Sequence, residues 1–150
     1  MKTGKTLKTL LCGLTLSALL LSCAALAAWQ ASGGGGDGAR AASLAVSAWT
    51  QGQTLYVSNS ENGRVSEVAL GYSVTLSLSA PLPEGVRVYF DSTREVWFSG
   101  TTCLIPNAGE LPAGSEAWNA HTMTFDTTGA SVDAETNIAV SVSVQAEQID

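Results

Sequence analysis

The chain has 150 residues, only 13% of them charged, and a formal net charge of −6. All three lysines lie within the first eight residues, so the remainder sets four arginines against thirteen carboxylates, a net of −9. Such a length leaves room for one ordinary domain, and such a surface repels phosphates and anionic lipid, which excludes nucleic acid as a partner.

Residues 1–27 have the layout of an export signal. Met1–Thr9 is basic, Leu10–Leu21 is apolar, and Ala25-Leu26-Ala27 places small residues where a signal peptidase reads them. A signal helix followed by cleavage between Ala27 and Ala28 is expected. The rival is lipidation at Cys23 after Leu20-Leu21-Ser22, but the apolar Ala24–Trp29 follows in place of a polar tether. The apolar run is short for a bilayer span and is interrupted by Gly13 and Ser17, so no stable transmembrane span is expected after cleavage.

Residues 28–40 read as a flexible N-terminal segment. Trp29 opens it and Gly33–Gly36, Asp37 and Gly38 form a hinge. A phosphate-binding loop needs Lys and Ser or Thr after its glycines, and here Ala39-Arg40 follows.

From residue 41 to 150 the rhythm is that of strands. Leu44, Val46 and Ala48 alternate with Ala45, Ser47 and Trp49 up to a turn at Gln51-Gly52-Gln53, and Leu55–Ser58 is a second short strand. Asn59–Arg64 carries Asn-Gly at its centre, a strong reversal signal. Val68, Leu70, Tyr72, Val74, Leu76 and Leu78 then alternate with small and polar residues, which puts one apolar row on one face of a long strand. Pro81-Leu82-Pro83-Glu84-Gly85 stops it. Val86, Val88 and Phe90 form the next inward row. Asp91–Thr93 turns into Glu95–Ser99, where Trp97 faces away from Val96 and Phe98. Thr102–Ile105 is a short strand holding Cys103, and Pro106–Glu116, with two prolines and two glycines, reads as a surface loop. His121, Met123 and Phe125 share a strand face, Asp126–Thr136 is a polar loop, and Asn137–Gln148 is the closing strand, with Ile138, Val140, Val142, Val144 and Ala146 inward. Seven or eight strands with no helical period after the leader predict an all-β fold, an antiparallel two-sheet sandwich with jelly-roll or Greek-key connections.

Few residues offer chemistry. Cys12 and Cys23 belong to the leader, leaving Cys103 alone as a small buried thiol. His121 is the only histidine and shares a face with Met123 and Phe125, the setting of a satisfied, partly buried imidazole. No Gly-x-Ser-x-Gly elbow and no zinc spacing occurs. Asp126, Asp133 and Glu135 are hard oxygen ligands without the regular spacing of a calcium loop. The reading is therefore no enzyme, no cofactor and no metal. Trp29, Trp49, Trp97 and Trp118 are the candidates for recognition; Trp49 and Trp97 fall on the face opposite their strands' apolar rows, and they are the candidate ligand contacts for a glycan.

Several stretches together carry a resemblance. The leader ends in small residues and an aromatic, Ala25-Leu26-Ala27-Ala28-Trp29. A glycine-rich stretch precedes Ala39-Arg40-Ala41-Ala42-Ser43-Leu44-Ala45-Val46-Ser47-Ala48. An Asn-Gly turn runs into Val65–Leu76, followed by Pro81-Leu82-Pro83-Glu84-Gly85-Val86, and the chain closes on Val142–Gln148. In this pattern the chain resembles the exported camelysin/TasA-type family of Gram-positive bacteria, which includes biofilm matrix fibre proteins. The resemblance implies a secreted, non-enzymatic structural protein at the cell surface. Its expected partners are further copies of itself, by β-strand addition from the segment around Trp29, or a cell-wall or matrix polysaccharide.

Overall fold

A computed structural model describes residues 22–27, 42–130 and 137–149. Among these residues every regular element is a strand. In chain order they are β1 (Ser22–Ala27), β2 (Ser47–Gln51), β3 (Thr54–Ser58), β4 (Ser60–Glu61), β5 (Arg64–Val65), β6 (Leu70–Leu78), β7 (Arg87–Phe90), β8 (Arg94–Val96), β9 (Thr102–Leu111), β10 (Trp118–Asp126) and β11 (Val140–Gln148). A four-stranded sheet has the order β1-β11-β6-β9, and a five-stranded sheet has the order β2-β3-β10-β7-β8. All pairings are antiparallel except that of β1 with β11, which is parallel.

The long alternating stretch is the middle of the first sheet. Leu70, Tyr72, Val74, Leu76 and Leu78 of β6 are all buried, with half-buried Gly71, Ser73, Thr75 and Ser77 between them. β11 runs beside it in unbroken register from Val140↔Leu78 to Gln148↔Leu70, and its Val140, Val142, Val144 and Ala146 lie on the same buried face. Leu55, Val57, Val88, Phe90 and Met123 of the five-stranded sheet join these rows in one hydrophobic cluster. At roughly 1.5–3 kcal/mol for each fully buried large aliphatic side chain, these rows are the main favourable contribution to folding.

The turns follow their local chemistry. Asn62 and Gly63 both have positive φ, 51° and 75°, which is the type I′ signature, and they close the small hairpin β4–β5. Asp91 and Ser92, with φ of 55° and 63°, reverse the chain between β7 and β8.

Three expectations shift. The first body strand begins at Ser47, and Ala45 and Val46 are buried ahead of it without ladder pairing. The loop expected from Pro106 starts only after Leu111, because β9 carries on through the proline. That is allowed because β9 is the edge strand of its sheet among the described residues and Pro106 falls where its register with β6 shifts. The strand expected over Glu95–Ser99 stops at Val96. The apolar run Leu10–Leu21, and with it the signal helix, lies outside the described residues, as do Ala28, Trp29 and the glycine hinge. Ala27 is the last residue of β1.

Candidate functional site

The most exposed aromatic surface is built across β2, β3 and β10. Trp49 lies opposite Tyr56 in the β2–β3 ladder, and Trp118 lies opposite Ser58, two residues along β3 from Tyr56. All three rings point away from the core. Trp49 stacks on Tyr56 with centroids 5.3 Å apart and planes 8° from parallel, and Trp118 meets Tyr56 edge-on at 5.7 Å and 61°. Trp49 remains 43% exposed and Trp118 59%.

A buried polar knot holds this stripe in place. Asn59, fully buried at the end of β3, donates from Nδ2 to the carbonyls of Pro112 (2.6 Å) and Ser115 (2.8 Å), and its Oδ1 accepts from Ala117 N–H at 2.8 Å. The Ser58 hydroxyl also donates to the Ala117 carbonyl, at 3.1 Å. A loop that would otherwise be free is thereby fastened to β3, and Trp118 follows directly from it. Nearby, Ser47 Oγ donates to the Ser60 carbonyl at 2.6 Å, and Ser60 Oγ donates to Glu116 Oε1 at 2.9 Å. Buried amides satisfied this fully make a rigid mount, since breaking one bond strands a desolvated group.

Trp97 does not join this stripe. It follows β8 at the opposite end of the five-stranded sheet, 77% exposed. There it borders a groove of about 400 Å³ with Pro81, Leu82, Pro83 and Phe98, where Arg87 and Glu95 approach to 3.9 Å. The two tryptophans expected to contact a ligand are thus on different edges. The actual neighbours of Trp49 are Trp118, one of the four candidate tryptophans, and Tyr56, which the sequence reading did not single out. Their strand parity, opposite Leu55 and Val57 and opposite His121, was the available signal.

No family model, characterised protein or solved structure matches this chain.

The second chemical feature is a relay of buried groups. His121 Nδ1 lies 2.8 Å from Asp91 Oδ2, and its Nε2 lies 2.6 Å from the Tyr72 hydroxyl. A carboxylate only accepts, so Nδ1–H donates to Asp91, and Nε2 of the neutral ring accepts from Tyr72 O–H. Asn119 Nδ2 donates to the same tyrosine oxygen at 2.9 Å, and Asp91 Oδ1 accepts from Thr122 N–H at 3.1 Å. Phe90 stacks on the imidazole at 4.7 Å. Burial pushes the Tyr72 hydroxyl above its ordinary pKa, opposed by the Asn119 bond and aided by the Asp91 charge. Carboxylate, imidazole and hydroxyl stand in the order of a nucleophile relay. The hydroxyl, however, is enclosed: Tyr72 is 3% exposed, and a Cβ on Gly109 would overlap its oxygen. The relay joins β6 of one sheet to β10 and the β7–β8 turn of the other, which is the work of a clamp. His121 is satisfied, as expected, and more deeply buried than its strand pattern suggested.

Cys103 is buried and its thiol is pushed up, chiefly by desolvation. Asp126 is held below the usual carboxylate range by hydrogen bonds from Thr128, whose N–H lies 2.8 Å from Oδ1. The other two candidate calcium ligands, Asp133 and Glu135, lie outside the described residues.

Proposed function

We propose that this chain is a secreted, non-enzymatic structural or matrix protein of the camelysin/TasA type, a two-layer β-sandwich that assembles by strand addition at the cell surface. The sandwich reading is supported by the inward rows of both large sheets sharing one cluster, and by the Tyr72–His121 bond that crosses between them. The assembly reading rests on one observation. The outer edge of β11 is taken by a parallel strand from residues 22–27, far away in sequence, running from Ser22↔Ser141 to Ala27↔Ala146. β11 has nine residues, no proline and no break in register, which is the kind of edge that recruits an added strand.

On this reading, cleavage after Ala27 removes β1 and leaves the edge of β11 to a second copy. Residues 28–38 of that copy, led by Trp29 and tethered by Gly33–Gly36, supply the new strand. The net of −9 after the leader disfavours nucleic acid and anionic membrane as partners. The test is light scattering and electron microscopy of the mature chain beginning at Ala28, beside the same chain lacking residues 28–38. The first should polymerise and the second stay monomeric, and a peptide of sequence Ser-Cys-Ala-Ala-Leu-Ala should cap the first. Equal polymerisation of both forms removes residues 28–38 as the donor.

A further inference from the structure

We propose that the Trp49–Tyr56–Trp118 stripe is a binding site for a single, uncharged polysaccharide chain. Two tryptophans this exposed, on one face and in contact with one tyrosine between them, are not the usual scattered apolar surface. An aromatic face packs against the C–H face of a pyranose ring, and the amphipathic rings of Trp and Tyr dominate such contacts while leaving a polar rim wet.

The surroundings select the ligand. The outward positions beside the rings on β2, β3 and the adjoining half of β10 are Ser47, Gln51, Thr54, Ala120 and Thr122, none of them charged, while Ser58 is buried with its hydroxyl given to Ala117. Hydroxyls and an amide both donate and accept, which suits sugar hydroxyls. The carboxylates at the border are engaged, Glu116 with Ser60 Oγ and Asp91 with His121 and Thr122 N–H. Among the described residues β2, β3 and β10 carry no Lys or Arg to hold an anionic polymer, and the net charge of the chain repels one. The occupant is therefore neutral.

Ring geometry selects its form. Trp49 and Tyr56 are nearly parallel but Trp118 is turned 61° from Tyr56, so the three rings do not make one plane. A flat crystalline polymer needs coplanar rings. A single twisted chain presents its successive sugar faces at changing angles and fits a stepped surface. The knot around Asn59 fixes Trp118 in advance, so little ordering cost remains for binding. This site uses neither β1 nor the edge of β11, and it stands whether or not the chain assembles.

The test is tryptophan fluorescence and calorimetry on the secreted protein with cellohexaose, laminarihexaose, chitohexaose and mannohexaose. Polygalacturonate and crystalline cellulose serve as the anionic and flat alternatives. At least one neutral hexaose should quench saturably. Trp49→Ala and Trp118→Ala should each weaken it about tenfold while the β-sheet circular-dichroism spectrum is kept. Trp97→Ala should bind as the parent does. The proposal is overturned if no neutral hexaose binds at millimolar concentration, or if Trp118→Ala binds undiminished. It is equally overturned if polygalacturonate or crystalline cellulose is preferred, or if the tryptophan changes alter only self-association, which would make the stripe a contact between copies.

Discussion

β6 has a neighbour on each side, and the two neighbours treat the open margins of their sheet in opposite ways. On one side β11 keeps strict register over nine residues, and its far edge takes an added parallel strand. On the other side the β9 register slips: Pro106, Asn107 and Ala108 stand against the single residue Ser73. Asn107 has a φ of 50°, and the Pro106 carbonyl is bonded by Arg94 Nη2 at 3.3 Å instead of by a strand. A bulge and a proline are known devices against edge-to-edge pairing. The difference teaches that one margin of this sheet is irregular and the other regular enough to carry a further strand, and the proposed assembly would use the second.

The largest expected effect lies where the guarded side is packed tightest. A Cβ at Gly109 would overlap the Tyr72 hydroxyl and come within 2.7 Å of Cζ and 3.1 Å of Asn119 Nδ2. Gly109→Ala should cost about 1–3 kcal/mol of unfolding free energy, read by urea titration. Its counterpart facing β11, Gly71→Ala, would meet only Cγ2 of Ile149 at 2.9 Å. Ile149 follows the last strand and its side chain can turn aside, so this change should cost under about 1 kcal/mol. Equal losses would show that Gly109 is packed no more tightly than Gly71.

A smaller effect belongs to Tyr72→Phe, which leaves His121 Nε2 buried without a partner, at about 1–2 kcal/mol near neutral pH. The folded protein holds the Tyr72 proton more tightly than the unfolded chain, whose value is 10.0. That contribution is complete below pH 10.0 and is lost as pH rises through the folded value, because the unfolded chain releases the proton first. The parent should therefore lose stability toward pH 11, and the variant should show a shallower decline over about pH 9–11.5. Parallel declines would remove Tyr72 as the source.

The smallest change in stability, within about 0.5 kcal/mol, is expected for Pro106→Val. Its signature is association. With the proline gone the edge strand gains one backbone N–H at position 106, and concentration-dependent scattering should rise above that of the parent. If it does not, the displaced register and the Arg94 bond are the whole guard.

Much of this was legible in order and face, less in company. The two-residue rhythm of Val68–Leu78 and Ile138–Ala146 foretold both long strands and their buried rows, since a strand's side chains can only alternate, though the strands themselves begin at Leu70 and Val140. Asn62-Gly63 foretold its reversal, since few other pairs accept positive φ twice. Pro106 was misleading because its effect depends on whether the neighbouring side of the strand is occupied. That is a fact about sheet order. Trp49 was rightly placed on an outward face, but its partners came from β3 and β10, and the Trp97 expected beside it lies at the far edge.

By itself the amino-acid order determined the all-β class, the inward rows, the acidic balance and the inward place of Cys103, because each follows from local alternation or from counting. Only the tertiary structure decided that His121 bridges Asp91 to Tyr72, that three rings make a stripe, and that residues 22–27 lie along β11. Apart from the Trp49–Tyr56 stack across one hairpin, those are meetings between residues some 30 to more than 100 positions apart, and they depend on which strands become neighbours.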